Sequence, residues 1–249
     1  MSTATLVQYE AAAITDRGRR RSSNEDAFGY SIEDGVYAVC DGMGGAAAGE
    51  IASSLAIDEV LRAFADRPAD GIGDLEKAAG VAIEAANHAI YSRAQRNCRL
   101  SGMGTTLVGL LATVSHVLIF NVGDSRCYRL RQGEIEQLTL DHSLVEEQVR
   151  LGRMTRAEAE RSPLRNIITR ALGTQSSVTP EFFDVTVEPG DIFLLCSDGL
   201  TRELTDERIA ILLDSEPNLD ELCKLLVKAA NKAGGHDNIT CVVVRALNK

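Results

Sequence analysis

The sequence has little proline, no excess of basic residues and no long apolar run. Five prolines, 45% apolar residues and 25% charged residues among 249 are typical of a globular protein, not of a disordered or fibrous one. No apolar stretch approaches the roughly 20 residues that span a bilayer, and Met1–Gln8 lacks the basic start and apolar run of a signal peptide. We therefore expect one domain over residues 1–249, located in the cytoplasm and without direct membrane insertion.

The net charge and the arrangement of the cysteines and histidines argue against further classes of protein. A formal net charge of −10 argues against nucleic-acid binding, which requires an excess of Lys and Arg to displace counterions from phosphates. The six cysteines contain no C-x-x-C pair, and we interpret them as buried thiols. The four histidines are dispersed, which disfavours a zinc site, and we expect His88, His116 and His236 to be ordinary structural or surface residues.

Apolar runs and helical periodicity predict an α+β fold. Runs with strand character lie at Thr5–Ile14, Gly35–Cys40, Thr106–Leu111, His116–Val122, Cys127–Arg131, Phe182–Val187, Ile192–Cys196 and Ile239–Ala246. Helical patterns lie at Glu50–Phe64, Leu75–Ala94, Asp206–Leu213 (capped by Thr205) and Leu219–Ala230 (capped by Asn218). Because strands and helices are grouped and do not strictly alternate, the pattern favours sheets covered by helix pairs over a doubly wound parallel sheet.

The segment Asp141–Gly173 differs from its surroundings because it is polar and rich in Arg and Glu. Pro163 is expected to separate two short helical stretches within it. The segment is interpreted either as an inserted surface subdomain or as an ordinary helical connection.

Four aspartates lie beside apolar strands. Asp41, Asp124 and Asp198 each follow such a run next to a glycine, and Asp237 precedes another. Any one of them is explained by turn formation alone, but the repetition, with two further acids in Asn24-Glu25-Asp26, predicts a cluster of carboxylates. Such a cluster needs hard divalent cations such as Mg²⁺ or Mn²⁺ to offset its repulsion.

Carboxylate-held cations about 3.5–4 Å apart can share and activate a water molecule for in-line attack on phosphorus. The basic run Arg17–Arg21 directly precedes Asn24-Glu25-Asp26, so at least one guanidinium could bind phosphate oxygens in a bidentate manner. Most arginines of this run are expected to be solvated. The combination favours hydrolysis of a phosphate ester.

These motifs together resemble the type 2C metal-dependent protein phosphatases in their bacterial form, from about Ile14 to Arg245. The motifs are Thr15-Asp16-Arg17-Gly18, Arg21-Ser22-Ser23-Asn24-Glu25-Asp26, Asp41-Gly42-Met43-Gly44-Gly45, Gly102-Met103-Gly104-Thr105-Thr106, Gly123-Asp124-Ser125-Arg126, Ser197-Asp198-Gly199-Leu200 and Asp237-Asn238. The resemblance implies a four-layer αββα sandwich in which helix pairs flank two antiparallel sheets. It also implies hydrolysis of phosphoserine and phosphothreonine on proteins by a metal-bridging water, reversing a bacterial eukaryotic-type Ser/Thr kinase.

By this resemblance, Asp41 bridges two Mn²⁺ or Mg²⁺ ions. Glu25 and the carbonyl of Gly42 complete the ligands of one ion, and Asp198 and Asp237 those of the other.

Three further residues take roles from the same resemblance. Asp26 orients metal-bound water, Arg21 binds the substrate phosphate, and Asp124 with Asp198 holds a third cation. Met43 stands where animal enzymes carry a histidine proposed as general acid, and methionine cannot donate a proton. A water on the third cation is the hypothetical donor instead.

Residues 142–175 resemble the flap of the family, a subdomain beside the cleft that is thought to influence substrate choice. His142 is expected to be structural, with substrate contact or proton donation as the alternative. The expected partners are phosphorylated proteins, including the cognate kinase itself, and the expected state is a monomer.

Two other functions stay open. One is a degenerate phosphatase-fold domain that binds a partner without turnover, although every expected carboxylate is present. The other is a phosphoesterase acting on small molecules; Gly42–Gly49 has neither the P-loop nor the dinucleotide-binding pattern.

Overall fold

Within residues 8–65 and 72–247, which the computed structural model describes, the strands form two antiparallel sheets. The strands are β1 (Gln8–Asp16), β2 (Asp26–Ser31), β3 (Val36–Met43), β4 (Gly104–Thr105), β5 (Leu107–Ala112), β6 (His116–Val122), β7 (Arg126–Arg131), β8 (Glu134–Gln137), β9 (Glu181–Thr186), β10 (Ile192–Cys196) and β11 (Ile239–Leu247). The first sheet has the order β1-β11-β10-β7-β8, and the second has the order β2-β3-β5-β6-β9 with β4 paired to β3. Residues 5–7 of the first predicted strand lie outside the described residues.

Two pairs of long helices cover these sheets. The helices are α1 (Ala46–Phe64), α2 (Ile72–Arg96), α3 (Leu144–Arg150), α4 (Arg156–Arg161), α5 (Asp198–Thr201), α6 (Asp206–Ser215) and α7 (Leu219–Ala233), with a short 3₁₀ helix at Cys98–Leu100. None of the helices in the described parts of the chain combines the length and the apolar character needed to cross a bilayer.

Three apolar layers hold the elements together. One lies between α1, α2 and the second sheet, and another lies between α6, α7 and the first sheet. The third lies between the two sheets and contains the fully buried Tyr37 and Phe193. This arrangement confirms the predicted αββα sandwich.

The predicted caps of the second helix pair are present. The Thr205 hydroxyl accepts a hydrogen bond from the Arg208 N–H at 3.3 Å, and the Asn218 side chain accepts one from the Glu221 N–H at 3.0 Å. Each cap satisfies a backbone donor at the first turn, so α6 and α7 begin where the sequence indicates.

Three strands were not predicted, namely β2, β8 and the two-residue β4 paired with β3. β2 pairs along its length with β3. Its apolar pattern is interrupted at Gly29, where a larger residue is excluded because its side chain would collide with Ile57 of α1. β8 is a four-residue edge strand of mainly polar residues paired with β7. Neither β2 nor β8 has the alternating pattern that identifies a strand.

Two expectations about local structure are wrong. Pro163 does not separate two helices, because α3 and α4 both precede it and the turn between them is made at Gly152, which has φ +68°. Cys98 is exposed, since it lies at the surface turn after α2, whereas the other five cysteines are buried.

Candidate metal and phosphate site

The second sheet brings three acidic residues to one end of the sandwich. Asp26 at the start of β2 is the direct cross-strand partner of Asp41 near the end of β3. Glu25 precedes this pair, and its carbonyl accepts a hydrogen bond from the Gly42 N–H at 3.1 Å. These residues lie close together because antiparallel pairing places the start of one strand beside the end of the next.

The first sheet delivers Asp198 and Asp237 to the same end. Asp198 follows β10 and Asp237 precedes β11, and these two strands are antiparallel neighbours. Gly199 makes this approach possible, since a Cβ atom there would lie 1.9 Å from the Asn238 carbonyl oxygen. The charge of Asp198 is one of the causes that raise the pKa of Asp41, so the carboxyl groups of the two sheets lie near one another.

Asp26 joins the two sheets. Its Oδ2 accepts hydrogen bonds from the Ser197 and Thr240 hydroxyls, both at 2.7 Å. Burial raises the pKa of Asp26 to about 7, although the two hydroxyl hydrogen bonds favour the ionised form. A carboxyl so placed can exchange a proton near neutral pH.

Asp41 is fixed by the Gly104-Thr105-Thr106 motif. Its N–H donates to the Thr106 hydroxyl and its carbonyl accepts from the Thr106 N–H, both at 2.9 Å, and from the Thr105 hydroxyl at 2.9 Å. Burial and the neighbouring carboxyl groups of Asp26 and Asp198 raise the pKa of Asp41 well above its usual range. A charge-neutralising ligand is therefore favoured at this residue.

Asp124 lies in the turn after β6, at a bend where Gly123 has φ +113°. Its side chain is buried, and burial, assisted by the Asp198 charge, raises its pKa to about 8. Asp124 therefore belongs to the same electrostatic cluster as the residues of the two sheets.

Several buried carboxylate oxygens in the cluster have no hydrogen-bond donor. They are Oδ1 of Asp26, Oδ1 of Asp124 and Oδ1 of Asp198. Buried acceptors left in this state are costly, and hard divalent cations bind such oxygen groups. The residues present therefore fit the expected cations, although in residues 8–65 and 72–247 no three His, Cys, Asp or Glu side chains already converge as ligands.

A glycine leaves room for Glu25. A Cβ atom at Gly49 would lie 2.1 Å from Oε2 of Glu25 and 2.9 Å from the Gly42 carbonyl carbon. The start of α1 therefore approaches both groups closely, which explains why position 49 is a glycine.

Two arginines contact the carboxylates. Nη2 of Arg21 lies 2.7 Å from Oδ2 of Asp237, and Nη1 of Arg202 lies 3.3 Å from the same atom. Arg202 also pairs with Asp198. Arg21 was predicted in this place, whereas Arg202 was missed.

The other arginines of the basic run lie elsewhere. The Arg17 and Arg19 guanidinium groups donate to the backbone carbonyls of Ser22 and Asn231. The run therefore supplies one arginine to the carboxylate cluster.

Asn238 is a second residue whose role was missed. Its Oδ1 accepts from the Glu25 N–H at 2.9 Å, and its Nδ2 donates to the carbonyls of Arg17 at 3.0 Å and Ser23 at 2.9 Å. One buried amide thus fixes the segment that carries Arg21 and Glu25. In the sequence, only its position next to Asp237 indicated that Asn238 belongs to the site.

His142 faces the protein interior beside the Asp124 turn. The Gly123 N–H donates to His142 Nδ1 at 3.1 Å, so Nδ1 carries no proton, and Nε2 lies 3.4 Å from Oε1 of Glu181. Burial, assisted by the charge of Arg170, lowers the pKa of His142. These contacts support the structural interpretation of this residue.

The remaining histidines make surface contacts outside the cluster. His88 is near the Ser92 hydroxyl, His116 pairs with Asp184, and His236 pairs with Glu203.

The αββα sandwich with its cluster of carboxyl groups at one end indicates a metal-dependent phosphatase. The family model described as Protein phosphatase 2C matches residues 15–240, and the chain belongs to this family. The chain is 39% identical over 234 residues to the serine/threonine phosphatase stp of Listeria welshimeri serovar 6b, which covers 92% of this chain and 93% of that protein.

Solved structures agree with the assignment. The crystal structure of the Mycobacterium tuberculosis serine/threonine phosphatase PstP/Ppp superimposes with a TM-score of 0.90 at 38% identity, covering 98% of this chain and 100% of that one. The catalytic domain of PstP in complex with two manganese ions gives a TM-score of 0.88 at 38% identity, with 98% and 100% covered.

Proposed function

We propose that this protein is a metal-dependent serine/threonine phosphatase that removes phosphate from phosphorylated proteins. The observation that carries the proposal is the set of buried carboxylate oxygens without donors at the meeting point of the two sheets, in a chain of the protein phosphatase 2C family. The proposal includes action in the cytoplasm, as a monomer, on the substrates of a Ser/Thr kinase and on that kinase itself.

Glu25, Asp41 and the Gly42 carbonyl would hold one cation, and Asp41, Asp198 and Asp237 would hold the other. Mn²⁺ and Mg²⁺ suit these oxygen ligands. When bound, such cations activate water and offset the charge of the phosphate group. Support comes from the effect of the Asp198 charge on the pKa of Asp41 and from the related PstP domain that holds two manganese ions. We further propose that Asp124 and Asp198 hold a third cation.

Asp26 would accept a proton from the attacking water. Its Oδ2 is held by Ser197 and Thr240, while its Oδ1 lacks a donor and is available. Burial raises the pKa of this carboxyl above its usual range, so it is a better proton acceptor than an exposed aspartate.

Arg21 would bind the phosphate oxygens of the substrate. Its side chain is 48% exposed and lies at the cleft against Asp237, so it can exchange this ion pair for a phosphate group. A planar guanidinium binds two phosphate oxygens at once. Met43, which is only partly buried, cannot supply the proton for the leaving group.

We also propose that residues 1–249 form one catalytic domain in which residues 142–175 are a flap that influences substrate choice. α3 and α4 lie within this segment. Its two ends are tied together by the isolated bridge between Ser143 and Ile168 and by the hydrogen bond from the Thr169 N–H to the His142 carbonyl at 2.8 Å. The helices between these ends can vary in sequence while His142 keeps its contact with Gly123 and Leu172 its bridge to Thr105.

The test is phosphate release from a phosphothreonine peptide with EDTA, Mg²⁺ or Mn²⁺. Release should require metal and should fall by at least about a hundredfold in Asp41→Ala and Asp198→Ala, because each removes a proposed ligand. Asp184→Ala is the matched control, since that carboxylate is half-exposed and pairs with His116 on β6. Folding of each variant is checked by circular dichroism.

Metal-independent release, or full activity of both ligand variants, would contradict the proposed mechanism. Faster turnover of nucleotides than of phosphopeptides would favour a small-molecule phosphoesterase. Absence of release from any phosphorylated substrate by the folded chain would favour the partner-binding alternative.

A further inference from the structure

Arg202 stands one helical turn after Asp198. The Arg202 N–H donates to the Asp198 carbonyl at 2.8 Å, which completes the turn of α5. Residues four apart on a helix share one face, and the Arg202 guanidinium accordingly contacts Oδ2 of Asp198. The ion pair is therefore fixed by the local backbone and does not depend on a distant element.

The same guanidinium also contacts a second carboxyl group of the cluster. Its Nη1 is 3.3 Å from Oδ2 of Asp237. Burial raises the pKa of both Asp124 and Asp198, and the charge of Arg202 opposes this effect at both residues. Arg202 thus supplies positive charge where Asp124 and Asp198 would bind the third cation, which we call the outer cation.

Arg21 is placed differently. Arg21 pairs with Asp237 at 2.7 Å. The ion pair with Asp198 is made by Arg202. Both arginines therefore contact Asp237, and Arg202 is the one of the two that also pairs with Asp198.

We infer that Arg202 is a built-in cation that competes with the third divalent cation for Asp198 and Asp124. This inference rests on the proposed function. The guanidinium occupies an Asp198 oxygen and repels a second cation. Its side chain is 30% exposed, so it can move into solvent when a cation displaces it. The chain would accordingly fill its outer cation position only at high metal concentration.

A positioning role for Arg202 makes the opposite prediction. If the ion pairs only hold Asp198 and Asp237 in ligand geometry, removal of Arg202 weakens cation binding. If Arg202 competes, its removal strengthens binding at the outer position. The direction of the change in the dissociation constant therefore separates the two roles.

The experiment is a titration of the full chain with Mn²⁺ by isothermal titration calorimetry. In Arg202→Gln and Arg202→Ala, the Kd of the weakest binding step should fall about tenfold, because one nearby like charge is removed. Arg202→Lys should bind like the wild type, since it keeps the charge. The gain should vanish in the Arg202→Gln, Asp124→Ala double variant.

Arg208→Ala is the control. That arginine lies six residues further on, at a groove between α6 and α7 lined also by Leu204 and Lys228. Its removal should leave every Mn²⁺ binding step unchanged, and circular dichroism should show all variants folded. A second readout is the Mn²⁺ concentration that gives half-maximal phosphate release, which should fall in Arg202→Gln.

An unchanged or weaker outer site in both Arg202 variants would overturn the inference. An affinity gain that persists in the Asp124→Ala background would also overturn it, since the competition would then involve other ligands. If the wild-type protein binds no Mn²⁺ at all, the proposed function itself fails. If it binds Mn²⁺ but Arg202 has no effect, only the present inference fails.

Discussion

Asn238→Ala should destabilise the protein more than its single side chain suggests. The Asn238 side chain makes three hydrogen bonds to the backbone of Arg17, Ser23 and Glu25, and the residue is 4% exposed. Alanine removes all three bonds and leaves one backbone donor and two acceptors without their partner. The segment that carries Arg21 then keeps its ion pair with Asp237 but loses these three bonds to the start of β11.

The expected loss in the free energy of unfolding is about 2–4 kcal/mol. Each hydrogen bond contributes on the order of 0.5–1.5 kcal/mol, and unsatisfied buried groups add to the cost. Arg17 is exposed, so water can reach part of this segment and hydrogen-bond to groups that lose Asn238. The total loss in stability therefore stays near the sum of the three hydrogen bonds. Asn218→Ala, which removes a single exposed helix cap, should cost only about 1 kcal/mol.

The assay is urea denaturation in EDTA, followed by far-ultraviolet circular dichroism because the sequence contains no tryptophan. The slope of the unfolding free energy against urea concentration should be the same in both variants and the wild type, so that differences in the denaturation midpoint report differences in stability. A loss in Asn238→Ala no larger than that in Asn218→Ala would refute the claim that this amide fixes the segment.

Three further predictions follow from the described contacts. His142 has a lowered pKa, so its own contribution to stability should be lost as pH drops below about 6.5, where the unfolded chain binds the proton first. The raised pKa values of Asp26 and Asp124 act in the opposite direction, so the His142 contribution is measured in urea titrations as the difference between the wild type and His142→Gln, and a difference that does not change with pH would contradict the buried neutral imidazole. Gly199→Ala places a Cβ atom 1.9 Å from the Asn238 carbonyl oxygen and should lower the free energy of unfolding by about 1–3 kcal/mol. The control is Gly80→Ala, at a helical position with free space around it, which should not destabilise the protein. Mn²⁺ at a hundred times its Kd should stabilise the fold by about 2.7 kcal/mol, measured as a thermal shift that EDTA reverses; no shift would contradict cation binding to the folded state.

The sandwich could be predicted because its buried strands are apolar and its helices have clear periodicity. The carboxylates at Asp41 and Asp198 were visible because each follows such a strand. Strands β2 and β8 carry weaker signals, since one contains Gly29 against α1 and the other is a short polar edge. Their pairing is determined by neighbouring strands, which no local pattern records.

The polar contacts around the carboxylates were less predictable. Ser197 and Thr240 are separated along the chain and meet at Asp26 only when the two sheets pack. Arg202 meets Asp198 because the four residues of α5 are helical, and so short a helix has no periodicity to detect. These side chains therefore required the structure.

The pairing of β1 with β11 affects the order of events during synthesis. Gln8 lies opposite Leu247, and each intervening residue of β1 pairs with β11. A ribosome makes β1 well before β11, at about 5–20 residues per second. The carboxylate cluster that includes Asp237 can therefore assemble only after β11 has left the exit tunnel, so a nascent chain that lacks β11 cannot form the complete site.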